Sequence, residues 1–341
     1  MKVVPRVVAL DRRNPDEAAI AQARNVLLRG GLVAFPTETV YGLGARGLHE
    51  GDVRKIFQAK GRPATHPLIL HAASEAMASR VASHWTELAS RLAQSFWPGP
   101  LTLVVPRGAD VPLAVTGGLD TVAVRVPNHP VALALIHAAD EPLAAPSANA
   151  HMHVSPTVAE HVVRSLGDAV DLVLDGGPCE FGIESTVLSL ADHPPRVLRP
   201  GALALESLAA VIPEVVFESL TVAPNAARAS PGLAHKHYSP RARVTLADGP
   251  RGVAHDARRG CAASRSVCAI VWSDEARESI AAMDTKLIVL PADAEAYARA
   301  LFGALYEVDA SGYDEVIVER VPDRPAWWAV ADRLRRAAAS A

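Results

Sequence analysis

Cysteine is scarce: three residues in 341, Cys179, Cys261 and Cys268, with no CxxC pair among them. That argues against a disulfide framework or a thiolate zinc site and fits a reducing, cytoplasmic setting. No uninterrupted apolar run approaches the roughly 18 residues that a membrane-spanning helix needs, so no membrane partner is expected. The first ten residues include Pro5 and lack the charged-then-apolar layout of a signal peptide. An excess of one charge sign is missing too. Lys and Arg total 34 against 37 Asp and Glu, a net charge of −3, which argues against a dedicated nucleic-acid binder.

Missing motifs narrow the chemistry further. There is no GxxxxGK[ST] phosphate loop, no GxSxG nucleophile elbow and no HExxH zinc pair. Gly42-Leu-Gly-Ala-Arg-Gly47 matches GxGxxG by letter. Yet Pro36-Thr-Glu-Thr39 interrupts the strand before it, and no acid stands about 20 residues on, so the dinucleotide reading fails. His151-x-His153 and His235-x-His237 have no acid or thiolate at ligand spacing, and no protein metal site is expected.

What is present is apolar and plentiful. Half of the residues are hydrophobic and 21% are charged, enough for a sizeable core and, at this length, for two domains. Helical patterns are read at 15–28, 52–60, 74–82, 85–96, 130–139 and 157–166. Short apolar runs at 32–36, 67–71, 101–105, 121–126, 143–145, 172–174, 186–190 and 196–198 read as strands. Thr37 to Gly44, polar and punctuated by glycine, reads as a loop. Helices scattered among strands imply a mixed α/β sheet rather than a regular βαβ repeat.

Pro213 to Ser239 has linker composition, although it carries His235, His237 and Tyr238 side by side. Strands at 244–246, 268–272, 287–290 and 315–318, with helices at 294–308 and 326–339, then suggest a smaller Rossmann-like α/β domain.

Two stretches invite chemistry. Lys60-Gly-Arg-Pro63 places two cations on a turn after a helix, and Ser147-Ala-Asn149 follows an apolar run. Cations facing hydroxyl and amide groups suit an anionic ligand. Taken alone, the first is more often a solvated turn and the second plain turn chemistry.

Their company changes those odds. Phe35-Pro-Thr-Glu-Thr-Val-Tyr-Gly-Leu-Gly44, Lys60-Gly-Arg-Pro63, Trp97-Pro-Gly-Pro-Leu-Thr102, Asp120-Thr-Val-Ala-Val-Arg-Val-Pro127, Ala145-Pro-Ser-Ala-Asn149, Gly182-Ile-Glu-Ser-Thr186 and Leu198-Arg-Pro-Gly201 occur in that order. Together they resemble the YrdC-domain family of threonylcarbamoyl-AMP synthases, over about residues 14 to 212. Ser230-Pro-Gly-Leu-Ala-His-Lys-His-Tyr-Ser-Pro240 is similar to the linker of that family's longer, two-domain members.

The resemblance implies a twisted mixed-sheet YrdC-like domain at 1–212, a linker at 213–241 folding over the active site, and a C-terminal α/β domain at 242–341. It implies condensation of L-threonine, bicarbonate and ATP, with Mg²⁺ on the phosphates, to threonylcarbamoyl-AMP and pyrophosphate. A tRNA threonylcarbamoyl transferase system would use the product to modify adenosine 37 of tRNA. Carried over by motif, Lys60, Arg62, Thr121, Ser147, Asn149, Arg199 and Tyr238 would meet ATP. Thr37, His71, Arg125 and Ser185 would meet L-threonine. Glu38 and His71 both stay open as a general base. The rival that the family carries is an RNA-binding or ribosome-assembly module with weak RNA binding on a basic concave face.

Overall fold

The computed structural model of the chain describes residues 5–217, 237–283 and 285–339. Its described residues divide into two compact units, 5–151 with 155–217, and 152–154 with 237–339.

In the first unit, strands β1 (Arg6–Ala9), β2 (Val33–Phe35), β3 (Gly42–Arg46), β4 (Ile69–His71), β5 (Leu101–Pro106), β6 (Thr121–Arg125), β7 (Leu143–Ala144), β8 (Leu172–Asp175), β9 (Thr186–Ser189), β10 (Arg196–Arg199) and β11 (Val216–Phe217) share one sheet. Their order is β1-β8-β2-β3-β7-β4-β6-β5-β9-β10-β11, with parallel and antiparallel neighbours mixed, the fold class the sequence implies. β1 and β11 are additions to the strands expected from the sequence, and β11 lies beyond residue 212, where no period is visible.

Helix α1 spans Glu17–Leu28 and buries Ala19, Ile20, Ala23 and Leu27, one stripe of a 3.6-residue period. Asp16 caps it, its Oδ1 accepting the Ala19 N–H at 2.8 Å. Helix α2 spans Glu50–Lys60, with Val53, Ile56, Phe57 and Lys60 on its buried side. It stops at Gly61, whose left-handed φ of 61° suits glycine and turns the chain between the two cations. Two further helices, Glu75–Ser79 and Glu87–Phe96, start on the hydroxyl caps of Ser74 and Thr86.

The expected loop at 37–44 is partly strand. Gly42–Arg46 pairs antiparallel with β2 and with β7. The glycines that read as loop punctuation have a packing cause, because a Cβ at Gly44 would lie 2.7 Å from the Phe35 ring.

In the second unit, β12 (Arg243–Ala247), β13 (Val267–Val271), β14 (Lys286–Val289) and β15 (Glu315–Glu319) form a parallel sheet in the order β12-β15-β13-β14. The two inner strands are buried throughout, as a helix-covered parallel sheet requires. Helices Ala294–Ser311 and Trp328–Ala338 fall where the sequence places them. Helices Gly249–Ala262 and Asp274–Ile280 are additions. Gly249, Pro250, Gly252 and Gly260 hide the first behind poor helix propensity, yet Val253, Ala254 and Ala257 pack with Val267, Val271 and Ile317 in the core. Most of the expected linker, residues 218–236 with His235, lies outside the described residues. Among the described residues no helix is long and apolar enough to cross a membrane.

Candidate active site

β4 and β6 run parallel with His71 opposite Arg125, so both side chains stand at the carboxyl end of the pair, where ligand sites of α/β sheets gather. Arg125 is 3% exposed. Its Nε donates to the Gly99 carbonyl at 3.0 Å and its Nη1 to Thr39 Oγ1 at 2.9 Å. Its Nη2 lies 2.6 Å from Glu38 Oε1, a buried ion pair whose angles fall short of a hydrogen bond.

Glu38 and Thr39 are held in place by the turn they occupy. Thr37 Oγ1 donates to the Val40 carbonyl at 2.6 Å and accepts the N–H groups of Thr39 and Val40. The Thr37 and Thr39 hydroxyls are 2.8 Å apart, so one chain of polar contacts links Thr37 to the guanidinium. His71 is buried, set edge-on to Phe35, and its Nδ1 has no hydrogen-bond partner. Burial, and then the neighbouring Arg125 cation, lower its pKa to about 3. The imidazole is therefore neutral.

A second cluster joins the end of α2 to the loop after β7. Lys60, 4% exposed, donates through Nζ to the Ser147 carbonyl at 2.5 Å and to the Asn149 carbonyl. The Lys60 contacts that join the two loops run to the backbone carbonyls of Ser147 and Asn149. Asn149 Nδ2 donates to the Ala150 carbonyl at 2.8 Å. Arg62 Nη2 donates to the Pro67 carbonyl at 3.0 Å, just before β4. Burial, then the Arg62 charge, push the Lys60 ammonium well below the usual lysine range.

A polyanion beside Lys60 favours its charged form and so opposes both causes. ATP binding is therefore expected to take up a proton at a pH between the lowered and the ordinary lysine value. Calorimetry in two buffers of different ionisation enthalpy reads that uptake. A Lys60→Met protein that takes up as much would show the proton goes elsewhere.

Ser185 and Arg199 form a third group. Arg199 Nη2 donates to the Ser185 carbonyl at 2.9 Å, and Ser185 Oγ lies 2.8 Å from Thr102 Oγ1. The approach depends on Gly201, where a Cβ would stand 2.3 Å from the Ser185 carbonyl carbon. Thr121 is set apart. It sits at the amino end of β6 opposite Pro106, about 13 Å along the strand from Arg125. Tyr238 belongs to the second unit, where its ring stacks on Phe302 with centroids 5.7 Å apart and Arg333 lies 5.1 Å from the ring centre.

Thr39 is the site residue that sequence reasoning missed. Its signal was the Thr37-x-Thr39 spacing in a turn, which lets two hydroxyls meet.

Two family models match the chain, one described as "Telomere recombination" over residues 25–201 and one as the threonylcarbamoyl-AMP synthase C-terminal domain over residues 203–339. The threonylcarbamoyl-AMP synthase of Pyrococcus abyssi is 41% identical over 334 residues, covering 96% of each chain. That of Bacillus subtilis is 39% identical over 330 residues, covering 96% of this chain and 95% of its own. A crystal structure of P. abyssi Sua5 complexed with L-threonine superposes with a TM-score of 0.89 at 40% identity, over 97% of both chains. With both domain models matched in order and relatives aligned over nearly its full length, the chain belongs to the threonylcarbamoyl-AMP synthase family.

Proposed function

We infer that this chain is an L-threonylcarbamoyladenylate synthase, a nucleotidyltransferase that condenses L-threonine, bicarbonate and ATP and releases pyrophosphate. The observation that carries the reading is the end-to-end likeness to a Sua5 structure solved with L-threonine. In that reading the threonine carboxylate takes the Arg125 fork, beside Thr37, His71 and Ser185. Lys60, Arg62 and Arg199 face the ATP phosphates, with Thr121, Ser147 and Asn149 along the nucleotide. Mg²⁺ enters with the phosphates as part of the substrate. Cations and carbonyls are what the chain places around Lys60, which suits an ion carried by the nucleotide rather than by a carboxylate cage.

The threonine amine attacks bicarbonate, with loss of water, or its dehydrated form, with loss of a proton from nitrogen, to give a carbamate. A carbamate oxygen then attacks the α-phosphorus, and pyrophosphate leaves. No covalent enzyme intermediate is needed. The chain contributes by holding three reactants together and by fixing positive charge where negative charge develops. A transferase system acting on tRNA would consume the product. Mass-spectrometric detection of threonylcarbamoyl-adenylate from the three substrates tests the assignment, and its absence from an active ATP-cleaving preparation would refute it.

Tyr238 is assigned to the nucleotide from its motif. Tyr238→Phe keeps the ring that packs on Phe302. It is expected to raise KM for ATP about three- to tenfold, the worth of one hydroxyl hydrogen bond. An unchanged KM for ATP would take the hydroxyl out of the nucleotide site.

A further inference from the structure

Glu38 is 1% exposed, and neither of its carboxylate oxygens accepts a hydrogen bond. Its contact is the 2.6 Å approach to Arg125 Nη2, the guanidinium that the proposed reaction assigns to the threonine carboxylate. The turn Thr37–Val40 holds it rigidly from one side, and its carbonyl accepts the Phe181 N–H at 2.8 Å from the other. A fixed, dry carboxylate with unfilled lone pairs is costly unless something meets it.

The substrate brings what it lacks. Threonine carries an ammonium group one carbon away from its carboxylate. When that carboxylate competes for Arg125, the ammonium is the cation it delivers to the same spot. We propose that Glu38 is the catalytic base that takes the proton from the bound threonine ammonium, freeing the amine to attack. One N–H bond breaks, one O–H bond forms on Glu38, and the electron pair stays on nitrogen.

His71, the competing base, stands directly opposite Arg125 in the β4–β6 register. A proton there would put a second cation beside the guanidinium in a buried place, which is why its imidazole stays neutral. Two further groups feel the Glu38 charge and neither is a cation: Cys179 is a thiol pushed up by burial and by Glu38, and His129 is lowered by burial to about 4.

The inference rests on the synthase reading, and the experiment separates the two. Infrared difference spectra of the wild-type protein with and without threonine should show a new protonated-carboxyl band. At saturating threonine, Glu38→Gln should lose about a hundredfold in kcat at neutral pH and regain it tenfold per pH unit as solvent deprotonates the amine. Glu38→Asp should keep the wild-type pH profile with a smaller loss. An absent band, or a Glu38→Gln protein that loses threonine affinity with an unchanged kcat–pH profile, would overturn the base role and leave Glu38 as a positioner of Arg125. If Glu38→Gln does not fold, the band decides. A wild-type protein with no threonine-dependent pyrophosphate release would instead sink the synthase reading.

Discussion

Arg125→Ala is expected to lose about 10- to 100-fold in affinity for threonine and to melt at a lower temperature than the parent. Both effects have one origin. The guanidinium makes three contacts at once, to the Gly99 carbonyl, Thr39 Oγ1 and Glu38. A charge-assisted, forked contact to the substrate carboxylate contributes roughly 1.5–3 kcal/mol, a loss of about 10- to 100-fold from binding alone. Removing the cation also leaves Glu38 buried without its counter-charge, a defect worth about 3–5 kcal/mol. Arg125→Lys separates the two consequences. It keeps a positive charge near Glu38 but cannot span Gly99, Thr39 and a carboxylate together. Stability should recover substantially while threonine binding stays poor. Calorimetry with threonine and thermal melts of both variants measure this, and wild-type threonine affinity in Arg125→Ala would remove the residue from the substrate site.

Lys60→Ala and Arg62→Ala should each weaken ATP binding by about 10- to 100-fold, on the same scale of charge-assisted contacts to phosphate. Both removals also cost the fold. Lys60 ties the Ser147 and Asn149 carbonyls to the end of α2, so its loss takes a donor from each, although the Ser147 carbonyl still accepts the Asn149 N–H at 3.0 Å. Arg62 donates to the Pro67 carbonyl through Nη2, a bond that its removal breaks. Threonine affinity measured without ATP should change little in the Arg62 variant. Unchanged ATP affinity in both proteins, read by calorimetry, would take the pair out of the nucleotide site.

The sequence made the periodic elements legible and hid those whose cause lies in tertiary packing. α2 could be read because Val53, Ile56 and Phe57 keep helical spacing and Gly61 ends the run. β3 could not, since its glycines exist to admit the Phe35 ring, a neighbour brought by sheet pairing. Helix Gly249–Ala262 stayed hidden because burial of Val253 and Ala257 outweighs the propensity penalty of its glycines. The site divides in the same way. Its cations and threonines were visible as residue types in order. The pairing of Arg125 with Glu38 was not, because 86 residues separate Arg125 from Thr39 and only the strand order brings them together. The Lys60 contacts show the same limit, since sequence names side chains and the partners proved to be carbonyls.

The most direct measurement of the central claim is pyrophosphate release from ATP by the wild-type chain, with L-threonine and bicarbonate each omitted in turn. Release that requires both substrates is the predicted result. Release at the same rate without threonine, or none with all three present, would contradict it.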